Sequence, residues 1–194
     1  MGRSLVYFSL WFVATMLGYM FAGVGGHFPG SFPVGTGVVA AFDASAAVAG
    51  LIFGAVTGLL VGTLQWLVLR AWLGVAWPWL VATALAVAVT HALGDGLPSS
   101  WEYPPIAVVG GLVMAGSQWL ALSGRPDRRV LAIASGAAFA FGVMLGVAAG
   151  DPGSADYQRA HLVASAVAGA VVGVAVGIAL LLSTRRMQQI QPHD

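Results

Sequence analysis

"GTLQWLVLR", residues 62–70, ends a long apolar run with a glutamine, a tryptophan and an arginine, and "AGSQWLALS", residues 115–123, ends another with the same Gln-Trp pair. A run of about twenty apolar residues matches the ~30 Å hydrocarbon core of a bilayer. Tryptophan and arginine at its end mark the headgroup layer. The stretch therefore predicts the end of a membrane-crossing helix, and it fixes where to look for the others.

The rest of the chain agrees. Of 194 residues, 59% are apolar and only 8% charged, and the mean hydropathy is +0.88. An ordinary soluble domain is about a quarter charged, so this chain lacks the charge to cover a water-facing surface. A net charge of +1 gives no electrostatic basis for nucleic-acid binding. The absence of cysteine excludes disulfides, a thiolate nucleophile and Cys-based metal sites.

Apolar runs between turn-rich breaks predict six spans, at about 4–26, 44–70, 77–94, 104–123, 129–150 and 160–183, making residues 1–194 a single all-α transmembrane domain. The breaks "HFPGSFPVGTG" (27–37), "DGLPSS" (95–100), "GRPDRR" (124–129) and "DPGSAD" (151–156) carry the Gly, Pro, Asp and Ser that favour turns. Pro78, Pro104 and Pro105 fall in first helical turns, where a missing N–H is harmless. The opening segment is longer than the apolar core of a signal peptide and has no Ala-x-Ala site, so it counts as the first span.

With six spans, Arg3, Arg70, Arg125, Arg128, Arg129, Arg185 and Arg186 share one side, and Arg159 stands on the other. The positive-inside rule then puts both termini in the cytoplasm, in a bacterial inner membrane. Trp66, Trp72, Trp77, Trp79 and Trp119 are expected at the inner interface, with Trp101 and Tyr103 at the outer one.

Short signatures recur. The odd spans share "VAT" (13–15), "VAT" (81–83) and "IAS" (133–135). The even spans carry small residues at four-residue spacing: Gly50, Gly54, Gly58 and Gly62; Gly110, Gly111, Ala115 and Gly116; Gly169, Gly173 and Gly177. Such stripes let helix backbones approach closely in lipid, where helices associate by packing. Three Gly-packed hairpin repeats follow, for which a pseudo-threefold bundle is the natural arrangement. Gln65 and Gln118 lie on the glycine faces and are expected to turn inward as hydrogen-bonding glue between helices. The matching place in the last span is Leu180-Leu181.

The motifs "GLLVGTLQWLVL" (58–69) and "GLVMAGSQWLAL" (111–122) resemble a loose group of bacterial polytopic membrane proteins with repeated G-x-x-x-G…Q-W-L-x-L helices. That resemblance covers the even spans and implies no activity.

Titratable residues gather at the outer ends of the spans: His27, Asp43, His91, Asp95, Glu102, Asp151, Asp156 and His161. His91 and His161 are expected at similar depth near the outer mouth, where facing imidazoles could hold haem or a (bacterio)chlorophyll. His27, His91, Asp95 and His161 are the candidate metal ligands. No ionisable residue falls in the middle of a span, which disfavours coupled ion transport. No catalytic set stands out either. The expectation is a non-enzymatic subunit of a membrane complex, in contact with the bilayer and with other membrane subunits or its own copies, binding lipid, carotenoid or another pigment. The alternatives are a small oligomeric transporter or channel for a neutral solute, and a metal- or haem-binding protein with its site at the outer face.

Overall fold

The computed structural model describes residues 2–24, 43–97, 103–149 and 157–190. It contains α1 (Gly2–Val24), α2 (Ala44–Leu73), α3 (Pro78–Gly96), α4 (Tyr103–Ala121), α5 (Arg128–Ala149) and α6 (Tyr157–Ile190), with no strand among the described residues. All six helices are long and apolar enough to cross a membrane. This is the architecture of a multi-pass integral membrane protein. The predicted His27 lies outside the described residues, as do Trp101, Glu102, Asp151 and Asp156.

Local chemistry sets the helix ends. Asp43 Oδ1 caps α2, accepting from the backbone N–H groups of Ser45 (2.9 Å) and Ala46 (3.0 Å) and from the Ser45 hydroxyl (2.6 Å). A carboxylate here satisfies amides that have no partner inside the helix. Gly74 ends α2 at φ 65°, a left-handed turn that glycine takes without a steric penalty. Pro78 stands in the first turn of α3, and Pro104 and Pro105 in that of α4, as expected.

Each helix packs against its neighbours in the chain, and α1 packs against α6. The six therefore form a closed up-and-down ring in which every helix has two antiparallel partners. Most of the even-helix glycines lie on one kind of seam; the exceptions are Gly110, which faces Thr90 of α3 as well as Phe139 of α5, and Gly116, which meets nothing within 4 Å. A Cβ at Gly54 would come 2.8 Å from Ala88 Cα, and one at Gly58 2.6 Å from Ala84 Cα, both on α3. On α4, Gly111 meets Gly136 and Ala140 of α5; on α6, Gly169, Gly173 and Gly177 meet Met16, Phe12 and Phe8 of α1. These contacts thus join the end of one hairpin to the start of the next, rather than the two arms of one hairpin.

Large apolar side chains cover the outside, among them Leu112 (68% exposed), Ile133 (67%) and Val56 (62%). Hydrocarbon tails solvate such a surface without cost. Inside, Trp11, Trp79, Phe139, Leu69, Leu122 and Leu131 are fully buried.

Trp79 departs from the predicted aromatic belt. It is 1% exposed and points into the ring, because α3 begins at Pro78 and its first turn already faces α2. Trp66 is half-buried and donates to Val75 O at 3.1 Å, tucked under the turn that follows its own helix. Trp77 (64% exposed) and Trp119 (39%) stay on the surface, the latter beneath Arg128 at 4.7 Å.

Candidate functional site

Buried polar side chains of α1 to α4 are joined by hydrogen bonds inside the ring. Gln65 of α2 donates through Nε2 to Thr15 Oγ1 of α1 at 3.2 Å, and its Oε1 accepts from Trp79 Nε1 of α3 at 3.4 Å. An indole N–H can only donate, so Trp79 fixes which way the amide faces. Gln118 of α4 donates through Nε2 to Thr83 Oγ1 of α3 at 3.3 Å and lies 3.0 Å from Met114 Sδ. Thr83 in turn donates to Trp79 O at 3.0 Å. Both glutamines are buried, at 3% and 2% exposure, and turn inward as the sequence predicts.

Their acceptors are the hydroxyls of the two "VAT" signatures, so the odd-helix and even-helix motifs are halves of one contact. The third signature ends in Ser135 of α5, 3% exposed, and its Oγ has no hydrogen-bond partner; neither does Gln118 Oε1. Leu180, seven residues after Gly173 as Gln65 is after Gly58, stands where a third glutamine would be.

Sequence reasoning missed Trp11. It is fully buried, donates to Gly173 O of α6 at 3.1 Å, and meets Trp79 edge-on with ring centroids 6.2 Å apart. A signal was present. "WFVAT" (11–15) and "WLVAT" (79–83) set the same tryptophan four residues before the same threonine, and "LAIAS" (131–135) follows with leucine. Four residues is one helical turn, so tryptophan and threonine share the inward face.

All six helices contribute to an axial cavity whose lining includes Gln65, Thr83, Gln118, Ser135, Trp79 and Phe139. Its volume is about 10 Å³, room for roughly one water molecule. Neither a tetrapyrrole nor a carotenoid fits there. Among the described residues no carboxylate, imidazole or cation lines it, so its chemistry is that of neutral hydrogen bonding.

The described histidines at the other end of the helices are buried. His91 is 1% exposed and lies in the α2–α3 seam: its ring meets Phe53 edge-on at 5.6 Å, and its Cβ lies over Gly54. Asp95, one turn on, lies over Gly50, with Oδ2 2.6 Å from where a Cβ would be. Gly50 and Gly54 of α2 thus make room for two polar side chains. His161 is fully buried in α6, a helix that does not pack against α3. Among the described residues no three of His, Cys, Asp and Glu are grouped to hold a metal ion.

At the opposite end, Arg125 ties loops together. Nε and Nη2 pair with both oxygens of Asp127 at 3.0 Å, and Nη1 donates to Leu73 O at the end of α2 at 3.1 Å.

Compared with known proteins, the chain matches no family model, no curated protein and no solved structure.

Proposed function

We propose that this chain is a non-enzymatic structural or accessory subunit of a complex in a bacterial inner membrane, with both termini in the cytoplasm and three copies of one hairpin in its bundle. The packed axis carries the functional reading. A conduit needs a continuous polar path, whereas Trp11, Trp79 and Phe139 fill the middle of this ring and leave space for about one water molecule. The buried glutamine amides donate to threonine hydroxyls of the neighbouring helices, a role of construction rather than turnover. The apolar exterior is available to lipid, to an apolar pigment or to neighbouring subunits.

Arginine placement supports the orientation: Arg70, Arg125, Arg128 and Arg129 lie at the end shared by the start of α1 and the end of α6. The repeat is supported by the equivalent pairs Gln65–Thr15 and Gln118–Thr83 and by the matching seams α2–α3, α4–α5 and α6–α1.

Extraction from its native membrane in a mild detergent, followed by size-exclusion chromatography, tests the subunit role. Other membrane proteins should co-elute in a fixed ratio; a single monodisperse chain overturns it. The visible absorbance of the same fraction reports whether a pigment or haem accompanies the protein.

A further inference from the structure

We infer that the axial cavity is a binding site for one water molecule, bridging Gln118 Oε1 and Ser135 Oγ where a third glutamine would otherwise reach. Three observations converge. First, the orientation of Gln118 is determined. Thr83 gives its single hydroxyl proton to Trp79 O, so it can only accept from the glutamine, and Nε2 must face it. Oε1 is therefore turned away and finds no protein donor. Second, Ser135 Oγ, on the adjacent helix α5, also lacks a partner. Buried polar groups are nearly always hydrogen-bonded, to protein or to ordered water. Third, both residues line the same cavity, of about 10 Å³, which is about the volume one water needs.

The two helices are in register for a bridge. Gly136 lies against Ala115, so Ser135 and Gln118 occupy neighbouring levels of the α4–α5 seam. A water there donates one proton to Gln118 Oε1 and accepts the Ser135 hydroxyl proton, leaving its second proton for the other oxygens lining the cavity. Larger solutes are excluded by Phe139, Val172 and Val176. In the other two hairpins a glutamine of the even helix meets the hydroxyl of the odd helix directly. Here Leu180 cannot, and the water supplies the missing hydrogen bond.

An experimental structure at a resolution that shows waters tests this directly in the native chain. One density peak within hydrogen-bond distance of both atoms is expected. An empty axis, or density larger than a water, overturns the site. Thermal melting provides a second test. Ser135→Ala and Gln118→Met should each lower Tm, and together by less than the sum of the two, because each breaks the same bridge. Additive losses, or a Ser135→Ala protein that melts above the native one, overturn it.

Discussion

Gln65 and Trp79 are bound to each other across the α2–α3 seam: the indole N–H donates to the amide oxygen at 3.4 Å while the same amide donates onward to Thr15 at 3.2 Å. One glutamine thereby connects three helices, and its loss strands a donor as well as an acceptor.

Gln65→Leu should therefore destabilise more than Gln118→Leu. Hydrogen bonds between membrane helices are each worth about 0.6 kcal/mol on average, and leaving a buried group unpaired costs about 1–3 kcal/mol. Removing Gln65 leaves the Trp79 N–H unpaired, whereas removing Gln118 leaves Thr83 still bonded to Trp79 O. Unfolding titrations in mixed micelles should give a loss of about 1–3 kcal/mol for the first and a smaller loss for the second. The reverse order would contradict the network.

Glycine substitutions should split by seam. A Cβ at Gly58 would lie 2.6 Å from Ala84 Cα, a backbone atom that cannot move aside alone. Gly58→Ala is expected to lower thermal stability clearly. Gly116, in α4, has nothing within 4 Å of a new Cβ, and alanine there gains helix propensity of up to about 1 kcal/mol. Gly116→Ala should be neutral or stabilising, so only the melting curve of Gly58→Ala should fall below that of the native protein.

The orientation is open to direct labelling, because the chain contains no cysteine. Ser123→Cys falls in the exposed α4–α5 loop, and Ala44→Cys at the exposed start of α2 on the other end of the ring. With both termini cytoplasmic, a membrane-impermeant thiol reagent applied to cells or spheroplasts should label the second and spare the first. Inverted vesicles should show the opposite pattern, and reversed labelling would overturn the assignment.

Acid should loosen the start of α2. Hydrogen bonds from the Ser45 hydroxyl and the Ala46 N–H hold the Asp43 carboxyl below its ordinary value. A group depressed in the folded state adds stability that is complete above the unfolded pKa and fades as pH falls through the folded one. The native protein should lose Tm below about pH 4, and Asp43→Ala should start lower and lose less over that interval.

Much of this architecture was legible because membrane physics writes itself into composition. The six spans follow from charge-free length, and Pro78, Pro104 and Pro105 mark helix starts where the structure has them. The inward turn of Gln65 and Gln118 followed from their place on the glycine faces. Trp79 was misread because tryptophan near a span end is usually an interface anchor, and periodicity alone does not reveal that α3 meets α2 from its first turn. The packing of His91 in the α2–α3 seam was not legible for a related reason. Depth along a helix can be counted from sequence, but the pocket left by Gly50 and Gly54 depends on which helix lies opposite. Ring closure by α1 and α6 is likewise a long-range pairing with no local signal.

That closure bears on how the protein is made. Residues Phe8, Phe12 and Met16 on α1 find their glycine partners on α6, which leaves the ribosome after α2 to α5. Until α6 is inserted, the inward face of α1, with Trp11 lacking the Gly173 carbonyl, waits against lipid or an insertion chaperone. The ring thus closes only once α6 is inserted, and a chain halted before α6 leaves an open arc. The start of α1 and the end of α6 also emerge side by side, so a circularly permuted chain that opens in the α2–α3 turn keeps every seam and gains a different last helix.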